Sequence, residues 1–287
     1  MPTDPPDQTA ANERKLNALR VIAEDGDVRA MAHLAQRLWE SGDAAGAESW
    51  LRRAVELGSI TAMAALGRFL AADGRIAEAV TWLAAAAAAG DEAAGQQLGV
   101  LQLERGNLDE AERWFRPAAE AGLPEALCNM GVVANQRGND AEAEYWYESA
   151  ADAGNATAMR SLGVHLARRG QLDRAIALLT EAVRRGRTDA MAVLGTICLG
   201  DGDHLASERW LRRGSEAGDP DSMFHLALFL REQHIQHVPG SLDDPDTLRT
   251  VAGIITGEPS PHQEAQDWLE RAAALGHPQA LRLLHDL

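Results

Sequence analysis

Lysine is almost missing from this sequence: Lys15 is the only one in 287 residues, so nearly all positive charge is guanidinium. Bases are outnumbered, 27 Lys+Arg against 43 Asp+Glu, for a formal charge of -16. A phosphate backbone or an anionic bilayer would be repelled over most of such a surface, which argues against nucleic acid and membrane as partners. Cysteine is scarce too. Cys128 and Cys198 stand alone, in no CxxC, so a disulfide framework is excluded on count and a reducing cytoplasm is the expected compartment. No apolar run approaches the ~20 residues that span a bilayer. Residues 1–12 lack the basic and apolar regions of a secretory signal and, with Pro2, Pro5 and Pro6 among polar residues, read as a disordered tail. Catalytic signatures are absent as well: there is no glycine-rich phosphate loop, no GxSxG and no HExxH. The chain therefore reads as a non-enzyme that needs no cofactor.

What the sequence has is period. Glycines fall at 26, 58, 90, 122, 154, 186 and 218, a constant step of 32, and a second series runs 42, 74, 106, 138, 170 and 202 with the same step. Glycine accepts the left-handed backbone that ends many helices, so two phased series predict two helices per unit. Between the glycines the apolar residues keep helical spacing. Ala30, Met31, Leu34 and Ala35 return as Ala62, Met63, Leu66 and Gly67; Ala47, Trp50, Leu51 and Ala54 return as Ala79, Trp82, Leu83 and Ala86. The unit at 123–154 shows the pattern in full, with Ala126, Met130, Gly131, Gly138, Ala143, Trp146, Tyr147, Ala150 and Gly154. The prediction is an all-α solenoid of about seven 32-residue hairpins with a half-unit at each end, one domain over 13–287.

Local departures carry expectations of their own. Asn12 reads as the cap of a first, unpaired helix. Pro117, inside the second helix of the third unit, predicts a bend. In the seventh unit the closing glycines, Gly218 and Gly276, are 58 apart, so an insertion at about 234–260 separates its helices. A short helix is expected inside it, between Asp244 and Gly257, and Ser260 with Gln263 forms a capping box that restarts the regular pattern.

The residues Met130, Gly131, Ala143, Trp146, Tyr147, Ala150, Ala151 and Gly154, with their counterparts in most other units, resemble the Sel1-like branch of the tetratricopeptide repeat superfamily. Here the turn between helices is shorter than the Sel1-like loop, which makes this a compact variant. The resemblance implies a right-handed superhelix whose first helices line a concave groove that binds another protein or peptide. The groove positions it implies are Gln36, Trp39, Arg68, Gln96, Val100, Leu103, Cys128, Val132, Asn135, Arg160, Val164, Arg168, Phe224 and Arg231.

Several residues admit two readings. Trp50, Trp82, Trp114, Trp146, Trp210 and Trp268 keep one phase and are expected in the core. Trp39 falls outside that phase, either as a binding anchor or as a cover for the N-terminal cap. Arg160, Arg168, Arg169, Arg174, Arg184 and Arg185 make the fifth unit basic; they either grip a carboxylate-rich partner segment or pair with acidic neighbours on a solvated face. His234 and His237, near Asp243, Asp244 and Asp246, have no third ligand at metal spacing and do not read as a metal site. The leading function is a protein-interaction scaffold. A sensor gated by the 234–260 insertion and a hydrolase with an unrecognised site are the alternatives, and the oligomeric state is open.

Overall fold

The computed structural model describes residues 6–236 and 260–285, and every regular element among them is a helix. The order is α1 (Pro6–Glu24), α2 (Val28–Glu40), α3 (Ala44–Glu56), α4 (Ile60–Ala72), α5 (Ile76–Ala88), α6 (Glu92–Glu104), α7 (Leu108–Glu120) and α8 (Pro124–Gln136). There follow α9 (Asp140–Asp152), α10 (Ala156–Arg168), α11 (Leu172–Arg184), α12 (Ala190–Gly200), α13 (His204–Glu216), α14 (Pro220–Gln236), α15 (Pro261–Ala274) and α16 (Pro278–His285). They belong to two compact units, residues 1–121 and 122–287.

Local chemistry sets these boundaries. Several helices begin on short polar side chains that accept free N–H groups of the first turn, as Asp27 does from Arg29 and Ala30, and Asn155 from Ala158. The capping box at Ser260 forms as expected, with Gln263 returning the bond to the Ser260 N–H. They end on glycine. Gly138 has φ 74°, its N–H donates to Asn135 O at 3.0 Å, and Asn139 N–H donates to Ala134 O at 2.9 Å. That pair of bonds satisfies two of the last carbonyls of α8 and needs the left-handed backbone that glycine tolerates. The same positive φ recurs at both glycine series.

Within each hairpin, close approach comes from a missing methyl. A Cβ at Gly131 of α8 would lie 2.5 Å from the Tyr147 ring of α9, and one at Gly99 of α6 would lie 2.5 Å from Phe115 of α7. Leu83, Leu179 and Leu211 fill the equivalent space opposite Gly67, Gly163 and Gly195. Unit 1 buries one cluster around Met31, Leu34, Leu66, Leu70 and Leu83; unit 2 buries Leu211, Leu226, Leu230, Leu269 and Met223 at its C-terminal end.

Two expectations need correction. The phased tryptophans are half-buried, and the residue that follows each one is buried instead: Leu51, Leu83, Phe115, Tyr147, Leu211 and Leu269. Indole is too large to be enclosed between two slender helices, so it lies along the flank, where arginine covers Trp50, Trp210 and Trp268. The first helix starts at Pro6, so Asn12 lies inside α1 and does not cap it. His234 is in α14, which reaches Gln236, while His237 and the short helix expected before Gly257 lie outside the described residues. At Pro117, α7 keeps the 13-residue span of its neighbours.

Candidate functional site

The even-numbered helices, first in each hairpin, carry the residues expected to line a binding face. In unit 1, α2 lies against α4; in unit 2, α8 touches α10, α10 touches α12 and α12 touches α14. Side chains on the face away from the hairpin partner are thereby gathered from successive repeats.

In unit 1 the indole of Trp39 is 41% exposed and meets Phe69 of α4 edge to face, ring centroids 4.8 Å apart at 71°. Phe69 is itself buried, so the indole is held against a fixed wall. Gln36 is exposed and donates to Glu40 Oε1 at 3.1 Å. Arg68 is exposed, Val100 is 39% exposed, and Gln96 and Leu103 are half-buried.

Unit 2 is more polar. Asn135 is exposed, its Oδ1 3.1 Å from Nε2 of the buried His165, whose ring packs on Tyr147. Val132 and Val164 are half-buried beside it. Arg160 places Nε 3.0 Å from Asp189 Oδ2, the carboxylate that also takes two bonds from Arg187. Arg168 is exposed, with no carboxylate partner among the described residues, and Arg231 is half-buried. Two expected face residues are enclosed instead. Cys128 is buried, and Phe224 is buried in a 4.4 Å stack with His277.

The basic fifth repeat is largely neutralised. Arg169 bonds Glu144 and Arg174 bonds Glu148 of the preceding helix α9, while Arg184 and Arg185 share Glu181. Of the two arginines of this repeat that are also expected on the binding face, Arg160 is paired with Asp189 and Arg168 has no carboxylate partner among the described residues. Burial also disposes of the thiol: it pushes Cys128 up to about 11, against a smaller lowering by Arg187. Tyr147 is pushed up to about 12, again chiefly by burial.

Phe69 and His165 were not visible as face residues. Both touch a face residue from 30 positions earlier, Trp39 and Asn135, a shared offset that only the contacts reveal.

Models described as tetratricopeptide repeat match residues 28–58, 60–85, 97–157, 150–190 and 160–222, together more than half of the chain. The chain belongs to the tetratricopeptide repeat superfamily. A Sel1 repeat model matches residues 255–277. Among solved structures, a Sel1 repeat protein from Oxalobacter formigenes superposes with a TM-score of 0.59 at 24% identity, over 85% of this chain and 99% of that one. A tetratricopeptide repeat protein from Parabacteroides merdae gives 0.57 at 13% identity, over 88% and 95%. Pseudomonas aeruginosa pilF gives 0.57 at 17%, over 66% and 90%. These likenesses speak for the fold. A comparison with curated proteins finds no match. Tetratricopeptide and Sel1 repeats are in general protein-interaction scaffolds and typically non-catalytic. Among the described residues no helix is long and apolar enough to cross a membrane.

Proposed function

We propose that this tetratricopeptide repeat protein is a non-enzymatic adaptor that holds a partner protein or peptide against the face of its first helices. One observation carries the reading: Trp39, a large aromatic residue, is left exposed on that face and packs edge to face on the buried Phe69. Rigid, part-exposed aromatic residues supply contact area at little entropic cost, which is why they recur at interface centres. An acidic segment on the partner belongs to the same reading, since Arg168 offers an uncommitted guanidinium in unit 2. So does a reducing compartment, since Cys128 and Cys198 are both free thiols.

The test is affinity capture from the native organism on the immobilised full chain, followed by mass spectrometry. A stoichiometric partner that is lost with Trp39→Ala supports the face in unit 1, and one weakened by Arg168→Glu supports it in unit 2. A partner captured equally by wild type and both variants removes it.

A further inference from the structure

Acidic residues make up 43 of the 287, but they avoid one stripe. On each first helix the stripe has three members, spaced four and three residues apart; on α4 they are Ala64, Arg68 and Ala71. Four of the 21 stripe positions are buried (Ala64, Cys128, Ala192 and Phe224), and none of the other 17 is Asp or Glu, where the average composition would place about two or three. The only charges there are Arg68, Arg160 and Arg231.

Unit 1 shows what the avoidance leaves. Trp39 and Val100 stand exposed on α2 and α6, and Arg68 of the intervening α4 is the one charge of the stripe. Unlike Arg160, Arg68 has no carboxylate partner among the described residues. Acids return at the next position along, Glu40 on α2 and Glu104 on α6, and Glu40 is already engaged by Gln36 and Arg37.

The electrostatics point to one kind of occupant. A carboxylate approaching a chain of charge -16 is repelled over most of the surface. It is admitted only where acids are absent and a guanidinium offers its planar fork of donors. A lysine or arginine on the partner would meet no counter-charge on the floor and would be desolvated against indole and valine, at a cost. We infer that the first-helix face of unit 1 selects a linear peptide segment that sets a bulky apolar side chain beside Trp39 and a carboxylate on Arg68. This inference rests on the adaptor reading, and it adds the sign and the location of the charge.

A phage-displayed library of random peptides about twelve residues long, panned on the full chain, tests it. Wild type is expected to enrich sequences combining Asp or Glu with an aromatic or large aliphatic residue. Arg68→Glu is expected to lose that enrichment and turn toward Lys and Arg. By fluorescence anisotropy, the leading acidic peptide should bind Arg68→Glu roughly tenfold or more weakly, with an intermediate loss for Arg68→Gln and weakening with added salt. Circular dichroism of both variants checks that the fold is kept. Enriched peptides with no acidic bias that are lost with Trp39→Ala would overturn the charge selection and leave the adaptor face standing. Acidic peptides that bind Arg68→Glu as well as wild type would overturn the assignment to Arg68. A library that yields no binder to wild type would count against both.

Discussion

Gly131 of α8 and Tyr147 of α9 fit so closely that a methyl group on the first would lie 2.5 Å from the ring of the second. The hairpin therefore has no slack at its centre, and Gly131→Ala must displace either the tyrosine ring or the helix. A loss of about 1–3 kcal/mol is expected, read as a lower denaturant midpoint in equilibrium unfolding. An unchanged midpoint would show that α8 and α9 are not packed as described.

Trp39 should behave in the opposite way. Its contact with Phe69 is one aromatic pair at a half-open site, so Trp39→Ala should cost only about 1 kcal/mol of stability while abolishing partner capture. Thermal unfolding measured beside capture separates the two effects. A variant that unfolds as readily as Gly131→Ala would assign Trp39 to the core.

The two thiols should differ in reactivity. Cys128 is buried and pushed up to about 11, so at pH 8 only about a thousandth of it is thiolate; Cys198 is also raised, but is partly exposed. Iodoacetamide on the folded chain should label Cys198 first and Cys128 only after denaturation, as peptide mass spectrometry would show.

His225 gives the pH dependence a direction. Burial lowers its pKa, His277 lowers it further, and Asp221 and Asp219 oppose the shift in part. The unfolded chain takes up a proton as pH falls through the ordinary histidine value, while the folded chain resists. Stability is therefore lost from about pH 7 downward until the folded pKa is passed. Glu48 and Glu78 act elsewhere: hydrogen bonds from Arg52 and Arg75 depress them, so their contribution disappears only below the ordinary carboxylate range. Melting temperature should drop between pH 7.5 and 5.5, and His225→Gln should flatten that segment and spare the drop at lower pH.

Ser260→Ala removes one half of the capping box that starts α15. A loss of about 1 kcal/mol is expected, concentrated in amide exchange at the N-terminus of that helix.

The architecture was legible because it rests on local rules. A helix that ends in a left-handed turn needs glycine, and 32-residue phasing of Gly138, Gly154 and their counterparts marks every hairpin through the sixth repeat. Depth was less legible. Trp146 and Tyr147 are neighbours within one apolar stripe, and Tyr147 is the one enclosed because its ring faces Gly131 across the hairpin, a pairing that helical spacing alone does not encode. Nor does spacing reveal that Cys128 and Phe224, expected on the open face, are buried, Phe224 under a histidine 53 positions along the chain, His277. Composition misread the start: Pro5 and Pro6 suggested a tail, yet proline is tolerated in the first turn of a helix, and α1 begins at Pro6. At the binding face, Trp39 could be picked out because it broke the phase, whereas its support, Phe69, could not, being one more apolar residue at helical spacing.

The turn at Gly138 also has a stereochemical consequence. Its φ of 74° is the mirror image of an ordinary helical angle, and nothing lies within 4 Å of where a side chain of L configuration would project. The strain that bars L-residues there belongs to backbone chirality and not to crowding. D-alanine introduced by semisynthesis would adopt this angle natively and narrow the freedom of the unfolded chain, making the turn about 0.4–1 kcal/mol firmer.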